Sequence, residues 1–129
     1  MANQAPDNIK NLSTPKLLSL LLQKDTFRND EHGRSIIMEQ VERHKDEADL
    51  HYWQCVLHNA ALDYFSDEVT IRSAVDTNDN RRWIIIRVIY KDVYDWCEFE
   101  LDELAANGKP HTDKKFHAVA VNLSSVFVR

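Results

Sequence analysis

One stretch limits what this chain can fold into more than any other: Arg82–Leu101, RWIIIRVIYKDVYDWCEFEL. Its first half is rich in β-branched and aromatic residues, which suit a pleated, packed surface. In Trp83–Tyr90 both alternating sides are apolar apart from Arg87, which predicts an interior strand covered on both faces. The second arm, Val93–Leu101, alternates. Val93, Cys97, Phe99 and Leu101 fall on one side with Asp95, and Tyr94, Trp96, Glu98 and Glu100 on the other. A hairpin turning near Lys91-Asp92 follows, with aromatics among carboxylates on its outward side.

The flanking sequence supplies helices before this hairpin and strands after it. Thr14-Pro15 reads as a helix start, with Thr14 as the N-cap. Ser35 reads as the cap of a second helical region, Ile36 to Phe65. Unbroken, that region would be roughly 45 Å long, against about 27 Å for an eight-residue strand. A break is therefore expected near residues 44–50, where HKDEAD interrupts the apolar pattern. The part after it, LHYWQCVLHNAALDYF, is apolar nearly all round and reads as the central buried helix. Glu68–Val75 is expected to be a strand, Asp76–Asn80 a turn, and Asp102–Ala106 a helical turn. Phe116–Leu123 reads as a further strand, and Ser124–Arg129 as its continuation or a fifth. The expected class is α+β in a single domain, residues 1–129, with residues 1–12 as a polar arm. N-terminal helices would lie on one face of a mainly antiparallel sheet of about four or five strands.

Composition narrows the function. Hydrophobic residues are 43% of the 129 and charged residues 29%, values that suit a folded domain with its own core. The net charge of −5, with basic residues only in isolated pairs, disfavours direct nucleic-acid binding, which needs a cationic surface. Two glycines are too few for a phosphate-cradling loop. Two cysteines do not make a disulfide framework, and no apolar run is long enough to span a bilayer. The expected setting is a reducing cytoplasm.

The densest candidate site is DVYDWCEFELDE, Asp92–Glu103. It places six carboxylates around Tyr94 and Trp96 with no base among them. Like charges alternating along one strand repel, so stability does not explain them. Aromatics ringed by charge have the composition of interface hot spots, and an acidic face steers a basic partner. The partner-binding residues on this reading are Asp92, Tyr94, Asp95, Trp96, Glu98 and Glu100. As plain structure, the same residues would form a solvated outer face.

Other constellations carry less. His44, His51 and His58 recur every seven residues, and His51, Cys55 and His58 fall at i, i+4 and i+7. Yet His51 and His58 are about 10 Å apart along a helix, too far to share one ion unaided, so no metal or cofactor is expected. No GxSxG context surrounds any serine, and both cysteines fall at core-facing positions where a thiol is inert. Catalytic residues are therefore expected to be absent. Arg87, within an apolar strand, calls either for a buried partner, with Asp63 or Asp95 as candidates, or for a snorkelling route to water.

Three functional readings follow. The first is a small acidic binding protein, of inhibitor or immunity type, that occupies a basic protein such as a nuclease or toxin. The second comes from element order. Helices, a strand, a long hairpin and further strands over about residues 36–129 resemble the NTF2-like α+β fold. That resemblance implies an apolar pocket between helices and a curved sheet, lined by Trp53, Leu57, His58, Tyr64, Trp83 and Ile85, with His58 as a base. The third is a homodimer formed through the C-terminal edge strand, where VFVR would offer unpaired backbone groups.

Overall fold

The computed structural model describes residues 12–22, 31–43, 50–107 and 112–123. Three helices come first: α1 (Thr14–Leu22), α2 (Glu31–Glu42) and α3 (Leu50–Tyr64). Three strands follow, β1 (Thr70–Asn78), β2 (Arg81–Tyr90) and β3 (Val93–Glu100), then α4 (Leu101–Asn107) and α5 (Thr112–Asn122). The strands form one antiparallel sheet in the order β1-β2-β3, so the class is α+β.

Two tight turns set the sheet's register. Asn78 pairs with Arg81 around Asp79-Asn80, and both turn residues are left-handed, with φ of 52° and 65°. Asn and Asp accept that conformation in a chain with little glycine, and two left-handed residues match the twist of a two-residue hairpin. The predicted turn over Asp76–Asn80 is thus shorter, because β1 runs on to Asn78. Tyr90 pairs with Val93 around Lys91-Asp92, where Lys91 has φ 52°.

Alternation then sorts the side chains. Ile84, Ile86 and Val88 of β2 are fully buried together with Ile71 and Phe99. This side packs against α3, α4 and α5. Trp83, Ile85 and Ile89 point the other way and are only half-buried, while Arg87 is exposed. β2 is the interior strand the sequence predicts, but of its two apolar sides only that of Ile84, Ile86 and Val88 is fully buried among the described residues.

Phe116 of α5 closes the core. Its ring lies 5.5 Å from Phe65, 5.4 Å from Tyr64 and 6.1 Å from Phe99, joining the end of α3, the sheet and α5. The segment expected as a strand, Phe116–Leu123, is therefore helical. Phe116, Val119, Ala120 and Leu123 are its buried residues, spaced i, i+3, i+4 and i+7, which is the helical period. Among the described residues the sheet has three strands, not four or five. Ser124–Arg129, the expected C-terminal edge strand, lies outside the described residues, as do residues 1–11 of the arm expected over residues 1–12, whose last residue, Leu12, is half-buried against the core.

The helix boundaries correct two further expectations. Leu17 donates its N–H to the carbonyl of Ser13 at 3.0 Å, so Ser13 rather than Thr14 occupies the N-cap position. α2 starts at Glu31, and Ser35 lies on its exposed side instead of capping it. The long helical region divides into α2 and α3. His44 lies outside the described residues.

Removing the aromatic hub should cost more than removing any exposed aromatic. We expect Phe116→Ala to destabilise the fold by about 3–5 kcal/mol, read as a lower urea midpoint with an unchanged slope. A change below about 1 kcal/mol would mean that α5 does not close the core.

Candidate functional site

The side of the sheet away from the helices carries an ordered array. Its rows follow from the register: Asp76, Trp83 and Glu100; then Ala74, Ile85 and Glu98; then Arg72, Arg87 and Trp96; then Thr70, Ile89 and Tyr94. Tyr94 is 55% exposed and Trp96 49%, with ring centroids 6.1 Å apart. The Arg87 guanidinium sits 5.2 Å from the centre of the Tyr94 ring, a cation–π distance. Arg87 thus needs neither acid expected for it. Asp63 pairs with Arg34 instead, and Asp95 faces the other side of the sheet.

The acidic run is split among several environments. Glu98 and Glu100 lie on the open face, and Glu100 reaches Arg81 at 3.8 Å. Asp95 points to the helix side and accepts a hydrogen bond from Asn122 Nδ2 at 2.7 Å. Asp92 is exposed in the turn, while Asp102 and Glu103 occupy the first turn of α4, where the helix dipole favours anions. The open face consequently holds Arg72, Arg81 and Arg87 beside Asp76, Glu98 and Glu100. It is aromatic and of mixed charge rather than acidic throughout.

β3 is covered along its outer edge. α5 lies beside it, Lys115 Nζ donates to the Glu98 carbonyl, and the ammonium sits 4.9 Å from the Phe99 ring centre. A cleft of about 340 Å³ remains there, bounded by Trp83, Trp96, Glu98, Lys115 and Asn122. It opens onto the aromatic face, so α5 supplies polar groups to one border of that face.

The residues of the pocket reading do not converge. Trp53 and His58 are buried on α3 and Tyr64 is half-buried at its end. Strand alternation puts Trp83 and Ile85 on the far side of the sheet from His58. The His58 ring lies instead against Ser73 of β1, with Nδ1 and Oγ 3.0 Å apart. Ser73 Oγ also accepts from Gln54 Nε2 at 3.0 Å, which ties α3 to β1 through polar contacts inside the core. Cys55 is fully buried, and among the described residues no group of three His, Cys, Asp or Glu side chains is placed to hold a metal ion.

One polar anchor is absent from the sequence reading. Arg34 of α2 is 3% exposed and donates to Asn59 Oδ1 at 2.9 Å and Asp63 Oδ1 at 2.6 Å on α3. A cavity of about 330 Å³ lies beside it, lined also by Ser35 and Met38. Its signal was available: Arg34, Ile37 and Val41 share one stripe of α2.

Compared with protein-family models, curated proteins and solved structures, the chain matches none. Among the described residues no helix is long and apolar enough to cross a membrane.

Two groups link the fold to alkaline pH. Burial, outweighing the nearby Lys115 ammonium, pushes the Cys97 thiol up from 9.0 to about 12. Burial and then the Glu42 carboxylate to which it donates push the Tyr52 hydroxyl from 10.0 to about 12. Each is neutral when protonated, and the unfolded chain releases these protons first. Their contribution is therefore complete below pH 9.0 and is lost as pH rises toward about 12. The urea midpoint should fall across that interval, and fall less in a Tyr52→Phe, Cys97→Ala variant; equal falls in both proteins would contradict the assignment.

Proposed function

We propose that this chain is a protein-binding module that seats a partner on the open face of its sheet. The observation that carries this reading is the aromatic pair Tyr94 and Trp96, about half exposed on the strand surface beside Arg87. Trp, Tyr and Arg are the residues that dominate interface energies, because each covers much area while keeping a polar or cationic edge. Trp83, Ile85 and Ile89 extend the apolar part of the same surface, and arginines and carboxylates alternate across it.

Within that class we favour an inhibitor or immunity-type protein acting in the cytoplasm on a basic partner such as a nuclease or toxin. The net charge of −5 would draw in a cationic protein, and Glu98 and Glu100 would meet it at the β3 side of the face. Arg72 and Arg87 at the centre would require carboxylates on the partner as well. The NTF2-like alternative, a pocket for a small apolar ligand, loses its shared lining once Trp83 and His58 stand on opposite sides of the sheet.

The test compares three forms of the full chain as bait at low and high salt: wild type, Trp96→Ala with Glu98→Ala, and Val121→Ala on the exposed side of α5. A basic partner retained by wild type and Val121→Ala, and lost from the double variant, is the expected result. Equal recovery on all three would remove the open face from the function. The salt dependence of the retained partner should report the steering charge.

A further inference from the structure

The two edges of the sheet are treated differently. α5 runs beside β3, where Lys115 takes up the Glu98 carbonyl. On the opposite edge, β1 is exposed from Ala74 through Asn78 on both sides. Around a two-residue turn the flanking pair, Asn78 and Arg81, is hydrogen-bonded. Counting back by twos, Asp76, Ala74, Arg72 and Thr70 bond to β2, so Ile71, Ser73, Val75 and Thr77 turn their amides and carbonyls outward. The Ile71 carbonyl accepts from the Arg72 guanidinium at 3.1 Å, as expected of a group outside the ladder.

The side chains on this edge are complementary to themselves. Arg72 and Asp76 stand symmetrically about Ala74, with opposite charge and on the same open face. Within the sheet Arg72 lies directly across from Arg87, a like-charge pairing that disfavours the isolated edge. Val75, on the other side of the strand, is an apolar residue left 40% exposed.

We propose that β1 pairs with β1 of a second copy of this chain, antiparallel about Ala74, to make one continuous sheet. In this register the outward groups of Ile71 and Ser73 meet those of the second copy's Thr77 and Val75, and the reverse. Arg72 faces the second copy's Asp76, twice per dimer. The half of β1 that lies under α3, marked by buried Ile71 and half-buried Ser73, comes beside the second copy's uncovered half. The helical layers therefore sit at opposite ends of the joined strands, and Val75 gains cover. This pairing takes up Arg72 but leaves Arg87 and the Tyr94–Trp96 pair of the open face accessible and doubles them, and its test does not depend on the partner reading.

The full chain should sediment at twice its 15.1 kDa mass as concentration rises. Arg72→Asp or Asp76→Arg alone sets like charges opposite each other, and each should weaken the dimer about tenfold or more. The two together restore opposite charges and should restore the dimer. Ala74→Cys should form an intermolecular disulfide under mild oxidant, because Cα atoms of a non-hydrogen-bonded pair lie about 4.5 Å apart; Thr70→Cys, distant from its own mate in this register, should not. Wild type that stays monomeric to about 200 µM, a double variant as weak as the single ones, or cross-linking at Thr70→Cys equal to that at Ala74→Cys would each overturn the proposal.

Discussion

Burial of one side of β2 organises this protein. Ile84, Ile86 and Val88 have no contact with solvent, and α3 and α5 meet the sheet on that side through Ser73 and Phe99. Each large aliphatic side chain taken from water contributes about 1.5–3 kcal/mol, so this row and the Phe65–Phe116–Phe99 cluster fix the position of α3 and α5. α1 and α2 then pack largely on α3 rather than on the sheet. Among the described residues no helix covers the other side of β2, where Trp83, Ile85 and Ile89 stay half-buried. The open face is thus that second apolar side together with its neighbours on β1 and β3.

Polar groups follow the same division. Inside, Arg34 is held by Asn59 and Asp63, and Ser73 lies between Gln54 and His58, so these buried groups have partners and position α2 and β1 on α3. Outside, arginines and carboxylates are distributed over the aromatic rows without being buried. Surface charges of this kind contribute little to stability. Their arrangement bears instead on what approaches: Glu98 and Glu100 border the aromatic pair, and Arg72 and Asp76 mark the outer strand β1.

Much of the sheet was legible in the chain because a strand's period is short and its turns are local. Trp83–Tyr90 and Val93–Glu100 declare themselves by β-branched content, alternation and the polar pair between them. α5 was not, because Phe116, Val119 and Val121 carry strand propensity in isolation, and contact with Phe65 and Phe99 decides in favour of the helical period at Phe116, Val119, Ala120 and Leu123. For the candidate site, alternation was enough to place Tyr94, Trp96, Glu98 and Glu100 on one side and Asp95 on the other. It was not enough to say which side of β2 the helices would cover, or that Arg87 would rest on Tyr94. Those depend on the number of helices reaching the sheet and on cross-strand register, which are tertiary properties. Arg34 was missed because a charged residue on an apolar stripe counts against burial until its acceptors, 25 and 29 residues away, are known.

The most direct measurement is hydroxyl-radical footprinting of the full chain, read residue by residue by mass spectrometry. If only one side of β2 is covered, Tyr94 and Trp96 oxidise rapidly while Phe99 and Phe116, aromatic and on the helix side, stay protected until the protein is unfolded. Protection of Tyr94 and Trp96 equal to that of Phe99 would mean that the second side of the sheet is also covered, and the open face would not exist as a surface for binding.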